Sequence, residues 1–358
     1  MLRNAVVLGT GLIGTSIALA LRENGVEVAL ADPDPASLRM AHELGAGEVL
    51  GSGAPTPPAD VAVIAAPPSA VPTALREAQG RGLAQVYTDA ASVKDSVAVR
   101  AEQHGCDMST YVPGHPMGGR EKNGPSAARA DLFLGRPWAL CPTGKADPGA
   151  VTTVTELVRA CGAEPHMLTA AAHDRAVALV SHAPHVVSSA VAARMLTGEE
   201  EALALAGQGV RDVTRVAGGD PELWWEILRN NPRPVAAVLE ETATDLARAA
   251  RALNAADPDR EAVWGVLERG ARGHERIPGK HGVRQEPEYA VLPVVIPDEP
   301  NALGRLFAAV GEVGVNVEDV RIDHSPGLPV GVAQLWVLGT ELPRLSEALA
   351  AHGWSVHG

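Results

Sequence analysis

Ala5-Val6-Val7-Leu8-Gly9-Thr10-Gly11-Leu12-Ile13-Gly14, close to the start of the chain, decides how its first half folds. The apolar run Ala5–Leu8 reads as a strand and ends directly on three glycines at the spacing G-x-G-x-x-G. Gly9 permits the tight turn, Gly11 lets a pyrophosphate approach the backbone, and Gly14 lets the following helix pack closely on its strand. Leu12 and Ile13 fall in the first helical turn, where unpaired N–H groups attract phosphate. The helix runs to Asn24-Gly25, and a second strand, Val26–Ala31, ends at Asp32. An acid there accepts from both ribose hydroxyls of NAD and repels the 2′-phosphate of NADP. Pro33 follows, with no arginine beside it to receive one.

Outward from this stretch, further strands are expected at Val61–Ala66, Val86–Thr88 and Trp138–Cys141, alternating with amphipathic segments. This predicts an α/β Rossmann-type doubly wound parallel sheet over 1–168. Its last helix is punctuated by Asp147 as cap, Pro148 in the first turn, a stripe of Val151, Val154, Leu157 and Val158, and Gly162 at the end. From 169 to 275 strand signals vanish, and Ala-rich helices are expected at 171–197, 199–217, 221–229, 234–254 and 258–270. Such helices pack closely, which suits a dimer interface as well as a core. Residues 276–287 read as a linker, rich in Gly, Pro and charge. Residues 288–358 return in the order strand, helix, strand, strand, helix, strand, the split βαβ pattern of a small α+β ferredoxin-like domain.

The formal net charge of −13 over 358 residues disfavours nucleic acid and anionic membranes as partners. A small anionic substrate remains compatible, because a few local arginines outweigh the global field inside a pocket. Cys106, Cys141 and Cys161 form no CxxC pair and no even disulfide set, which points to a reducing, cytoplasmic setting. The run from Asn4 to Leu21 lacks a small-residue cleavage site and reads as fold, not as an export signal. No stretch reaches the ~18 uninterrupted apolar residues of a membrane span.

Ligands of open α/β sheets bind beyond the carboxyl ends of the strands. Three such ends carry distinctive residues: Ala66-Pro67-Pro68, Asp89-Ala90-Ala91-Ser92-Val93-Lys94 and Gly114-His115-Pro116-Met117-Gly118-Gly119. Pro67 is expected against the cofactor, and Ser92 and His115 beside the nicotinamide. The helical segment adds His173-Asp174, then Ser181-His182-Ala183-Pro184-His185, then Thr214-Arg215 running on to Asp220-Pro221-Glu222-Leu223-Trp224-Trp225. His182 and His185 share a helix face. Metal is the obvious rival reading, but no carboxylate or Cys has ligand-like spacing and no HExxH occurs, so no metal is expected. His182 alone reads as a hydrogen-bonded core residue, and Asp220-Pro221 as a helix cap and first turn. Of the two tryptophans, one is expected in the core and the other on the pocket wall.

The ordered set ASVK (91–94), GHPMGGREKNG (114–124), HD (173–174), SHAPH (181–185) and TRVAGGDPELW (214–224), together with the glycine fingerprint, resembles the prephenate/arogenate dehydrogenase family of tyrosine biosynthesis. The resemblance covers roughly residues 4–278. The tail, with Val294-Val295-Ile296-Pro297-Asp298-Glu299-Pro300-Asn301-Ala302-Leu303, resembles an ACT domain, a module that often binds amino acids. The resemblance implies NAD-dependent oxidative decarboxylation in a homodimer. It gives His115 the proton of the 4-hydroxyl, Ser92 a hydrogen bond to His115 or to that hydroxyl, and Arg215 a substrate carboxylate. His185, with Trp224 nearby, would meet the far end of the substrate, and His173 would also line its site.

Two points depart from the pattern or stay open. Asn301 stands where ACT ligand loops usually have Gly, which leaves a tyrosine effector and a purely structural tail as alternatives. Prephenate and arogenate differ by a keto against an amino group, and a donor at His185 leans toward prephenate. Two rival functions compete with this reading: a reductase of imines or β-hydroxy acids, disfavoured because 169–275 contains no lysine, and a non-catalytic NAD/amino-acid sensor, which would need no base.

Overall fold

A computed structural model describes residues 2–51, 53, 57–118, 124–277, 289–324 and 329–357. The chain parts into two compact units, 1–250 and 251–358. This differs from the three-part division expected from sequence, because the final helix of the expected helical segment belongs to the second unit. Most of the expected linker, from 278, lies outside the described residues, as do 119–123 of the glycine-rich loop after His115.

The first unit begins with β1 (Asn4–Leu8), α1 (Leu12–Glu23), β2 (Glu27–Ala31), α2 (Pro35–Glu43), β3 (Glu48–Val49), β4 (Ala59–Ile64), α3 (Val71–Gly80), β5 (Ala84–Asp89), α4 (Asp95–Gln103) and β6 (Tyr111–Val112). The six strands form one parallel sheet in the order β3-β2-β1-β4-β5-β6. Successive side chains alternate between two cores. Ala5, Val7, Val61 and Val63 face one core with Ile17 and Leu21 of α1, while Val6, Ala62 and Ile64 face the other with Leu75 of α3 and Val97 of α4. The order reverses beside β1, so the carboxyl ends of β1 and β4 open a crevice for a ligand.

Next come β7 (Gly114–Pro116), β8 (Pro137–Leu140), α5 (Pro148–Ala160) and β9 (Glu164–Met167). The expected strand at Trp138–Cys141 is thus present, but as the centre of a separate three-stranded sheet, β7-β8-β9. Strands β3, β6, β7 and β9 span only two to four residues, too few for a period-2 pattern to show. Asp147 stands at the N-cap of α5 without a side-chain cap bond, so Pro148 carries that start alone. Gly162, at φ 72°, ends the segment as expected.

The helical part follows with α6 (Ala170–Val177), a π-helical turn at Ala178–His182, α7 (Ala183–Ala192), α8 (Glu200–Ala204), α9 (Gln208–Thr214), α10 (Pro221–Asn230) and α11 (Pro232–Leu253). The wide turn has a cause in Pro184, which cannot donate to the carbonyl four residues back and whose ring crowds it. Asp220 caps α10 through the backbone N–H of Glu222. By length and composition, Ala170–Thr197 could cross a membrane. Its His173, Asp174, His182 and His185 are nevertheless buried within this unit, and two of them bond to the Rossmann part, as shown below.

The second unit holds α12 (Arg260–His274), β10 (Tyr289–Pro297), α13 (Ala302–Val313), β11 (Asp319–His324), β12 (Val330–Leu338), α14 (Leu342–Ala351) and β13 (Ser355–Val356). Its antiparallel sheet has the order β11-β12-β10-β13, with Leu292, Val294 and Ile296 of β10 packed on Leu306, Val310, Leu345 and Leu349 of the helices. This is the β-α-β-β-α-β arrangement read from the tail.

Candidate active site

The glycine loop is shaped by two close approaches. A Cβ on Gly9, at φ 102°, would lie 2.2 Å from the Ala65 carbonyl oxygen, and one on Gly14 would lie 1.9 Å from that of Gly9. Gly11 differs: a Cβ there would meet no protein atom within 4 Å. The packing of the chain does not require that glycine. It leaves open the space in front of α1, where a pyrophosphate would meet the helix N-terminus. Leu12 and Ile13 begin that helix, Leu12 buried and Ile13 half-buried. Asp32, just past β2, accepts from the Thr10 backbone N–H at 2.5 Å and from Thr10 Oγ1 at 3.0 Å, tying the loop to the ribose position. The loop therefore fits an NAD pyrophosphate and ribose. Pro67 lies in the turn after β4, and its carbonyl accepts from the Ala70 N–H.

The second half of the site is organised by Asp89, the last residue of β5 and fully buried. Its carboxylate receives Tyr111 Oη–H at 2.6 Å, the Ala91 N–H at 2.8 Å, and the Lys94 ammonium. Lys94, also fully buried, donates to the Gly114 carbonyl as well. Burial, reinforced by Asp89, raises the Tyr111 phenol well above its ordinary range, so it remains a donor. One ion pair thereby ties the Ser92 loop to the strand that carries His115.

His115 sits on β7, half-buried, not in a loop as its Gly and Pro neighbours suggested. Its Nδ1 lies 2.9 Å from His173 Nε2, and the two rings meet edge-on at 72°. His173 Nδ1 is 2.8 Å from Asp174 Oδ1. Asp174 in turn accepts the Lys94 N–H at 2.8 Å and the Asp95 N–H at 2.9 Å. Asn231 Nδ2 donates to the Asp174 carbonyl at 2.8 Å and lies 3.2 Å from His182 Nδ1. Burial, then the neighbouring His173, Lys94 and His182, hold His115 well below the ordinary imidazole range. It is neutral at physiological pH.

Two sequence expectations change here. His173 was expected on the substrate, but it is 1 % exposed and both its ring nitrogens are engaged, so it stands behind His115. Ser92 was expected to bond His115 or the substrate hydroxyl, yet no hydrogen bond joins the two side chains, because His115 Nδ1 belongs to His173. Asp89, Lys94, Asp174 and Asn231 were not singled out as site residues. Asp89 and Lys94 frame one of the quoted strand ends and Asp174 closes the HD pair, but neither pattern states a role, and Asn231 carries no signal.

His185 stacks on Trp224, with ring centroids 3.6 Å apart at 14°. It is 7 % exposed, its buried Nδ1 has no partner among the described residues, and burial lowers its pKa. Trp225, by contrast, is 63 % exposed. His182 is buried and bonded to Asn231, the core role expected for it. Arg215 is exposed on the turn Arg215–Gly218 after α9, which packs beside α7. The three cysteines are buried free thiols, and burial pushes Cys161 up to about 12, so it holds its proton. Among the described residues no group of three His, Cys, Asp or Glu side chains could hold a metal ion.

A Rossmann sheet with a ribose-reading acid, joined to a helical segment that brings histidines over its carboxyl edge, defines an NAD-dependent dehydrogenase. Two family models cover most of the chain: the prephenate dehydrogenase nucleotide-binding domain matches residues 17–167, and the prephenate dehydrogenase dimerization domain matches 169–266. A probable prephenate dehydrogenase of Streptomyces niveus, NovF, is 38 % identical over 99 % of both chains. The structure of prephenate dehydrogenase from A. aeolicus with hydroxyphenyl propionate and NAD+ superimposes with a TM-score of 0.68 at 26 % identity, covering 77 % of this chain and 98 % of that one. Arogenate dehydrogenase of Synechocystis matches with a TM-score of 0.64 at 26 % identity, over 76 % of this chain and 99 % of its own. The chain belongs to the prephenate dehydrogenase family.

Proposed function

We propose that this enzyme converts prephenate to 4-hydroxyphenylpyruvate and carbon dioxide with NAD, in the cytoplasm, as a step toward tyrosine. The observation that carries the reading is His115: a neutral imidazole on β7, with Nδ1 engaged by His173 and no partner for Nε2 among the described residues. Bound NAD supplies the acceptor for the hydride that leaves C4 of the ring. His115 Nε2 takes the proton of the 4-hydroxyl as that carbon becomes a carbonyl. The bond from C1 to its carboxylate then breaks, its electron pair enters the ring, and the aromatic oxygen recovers the proton from His115. Aromatisation drives the sequence, so the protein chiefly orients the reactants. Ser92 meets the substrate hydroxyl, Arg215 a substrate carboxylate through its planar fork, and His185 with Trp224 the side-chain end. The partnerless Nδ1 of His185 supports that last role, and a neutral ring there offers one N–H to the keto oxygen of prephenate.

Functionally we divide the chain into an NAD-binding part at 1–168, a substrate and dimer part at 169–275, a linker at 276–287 and an ACT-like regulatory tail at 288–358. Exposed Leu179, Val180, Leu196 and Leu205 on the helical part support a homodimer. In the tail, Asn301 adopts the left-handed conformation at φ 65° where ACT loops usually use glycine, which supports a loop still shaped for an amino acid such as tyrosine. Calorimetry with tyrosine tests this: heat and inhibition are expected, and the absence of both would reduce the tail to a structural module. For the main reading, NADH formation is followed with prephenate and with arogenate separately. A higher kcat/KM for prephenate is expected, a preference for arogenate moves the substrate assignment, and silence with both overturns the activity.

A further inference from the structure

We infer that His173 and Asp174 are positioning residues that fix which nitrogen of His115 carries its proton. The inference rests on His115 being the base. Three donors converge on the Asp174 carboxylate: the Lys94 N–H at 2.8 Å, the Asp95 N–H at 2.9 Å and His173 Nδ1 at 2.8 Å. A carboxylate receiving backbone amides at both oxygens is an acceptor, so His173 must donate from Nδ1. With Nδ1 donating, the imidazole of His173 has its lone pair on Nε2. The only complement to that lone pair, at 2.9 Å, is a proton on His115 Nδ1. It follows that Nε2 of His115, which has no hydrogen-bond partner among the described residues, holds the lone pair that a general base needs.

The chain of bonds is anchored where the two parts of the unit meet. Lys94 and Asp95 begin α4 on the Rossmann side, while His173 and Asp174 lie on α6. Asn231 clasps the other end, with one amide proton for the Asp174 carbonyl and one for His182 Nδ1. His173 and Asp174 lie behind His115, buried at 1 % and 3 % exposure. Their effect passes through His115, much as an orienting carboxylate fixes the tautomer of an active-site histidine. The same bonds make the base depend on the docking of the helical part: if α6 shifts, His115 loses the acceptor that defines its tautomer.

The test is histidine-selective 15N NMR of the full-length enzyme with NAD bound, the His115 signal being assigned by its loss in His115→Asn. The expected wild-type pattern is a pyrrole-type, protonated Nδ1 and a pyridine-type, bare Nε2. In His173→Phe the pattern should move toward Nε2–H, with kcat falling ~10- to 100-fold while KM and NAD affinity change little. His173→Gln, whose amide oxygen can accept from Nδ1, should recover part of that loss; a merely structural role would leave the two variants alike. A wild-type His115 protonated at Nε2 would overturn the inference without His173→Phe having to fold. So would an unchanged tautomer and kcat in His173→Phe. Retained turnover in His115→Asn would remove the base itself, which separates failure of the proposed function from failure of the positioning chain.

Discussion

The glycine loop follows β1, the histidine chain is anchored on the segment after β5, and the two are built in opposite ways. In the loop, residues 9 to 14 are consecutive, and what they offer is backbone: N–H groups at the start of α1 and a space kept free of side chains. In the chain, His115 meets His173 across 58 positions, and Asp174 meets Lys94 across 80. What it offers is side-chain lone pairs in a set order. A locally encoded site survives small movements between domains, because its parts travel together. One assembled over long range is lost as soon as the elements separate, which makes it a natural place to couple chemistry to closure.

The strongest way to break this comparison is at the base. His115→Asn is expected to lower kcat by about 10²–10⁴-fold while NAD affinity stays near that of the parent, since the cofactor is held by the loop. Steady-state kinetics together with NAD titration measures both. A parallel loss of NAD affinity would mean that the two regions are a single site.

Arg215 comes next. Arg215→Gln should raise KM by an amount worth roughly 2–4 kcal/mol, the cost of leaving a substrate carboxylate without its cation, with a smaller effect on kcat. An unchanged KM would assign the carboxylate to another cation, with Arg233 on α11 the next candidate.

Two substitutions within the loop sharpen the contrast further. Gly14→Ala forces a Cβ to 1.9 Å from the Gly9 carbonyl oxygen and 2.9 Å from Ala65 Cβ, so β1 and α1 must separate. A loss of about 1–3 kcal/mol is expected in denaturant titration. Gly11→Ala meets no protein atom within 4 Å and should leave stability nearly unchanged while weakening NAD binding. Equal destabilisation by both would show that Gly11 serves packing and not the cofactor.

The same contrast explains what could be read without coordinates. The strand, glycines and Asp32 are local, and each signal is a residue type at a fixed offset, so the Rossmann sheet and its cofactor were legible. The histidines were legible as a group, but their order was not. Nothing in the HD pair at 173–174 says that its imidazole faces His115 and not the substrate, because that depends on where α6 lands against α4. Lys94 reads as part of a distinctive strand end, but its partners, Asp89 and the Gly114 carbonyl, show only in the fold. The short strands β6 and β7 escaped for a different reason, since two or three residues cannot display a period. Asp147 illustrates the converse: an acid before Pro148 has the composition of a cap but makes no cap bond.

The last expected effect concerns acid, and it again divides the two regions, because backbone N–H groups do not titrate and imidazoles do. Burial, with a smaller push from His173 and against the pull of Asp174, lowers His182 to about 4; His115 and His185 are lowered as well. In the unfolded chain an imidazole takes up a proton near ~6.5. Between that pH and the folded value, the unfolded state binds more protons, so stability falls as the pH is lowered. The contribution of His182 is fully present above ~6.5 and is lost progressively toward about 4, amounting to roughly 3 kcal/mol at most. Urea midpoints of the full chain at about pH 7 and about pH 5 should therefore differ, and His182→Gln should flatten that difference. An equal pH slope in the parent and in His182→Gln would mean that His182 is not held neutral in the fold. The acid sensitivity would then belong to other groups, and the histidine chain would lose one of its physical distinctions from the glycine loop.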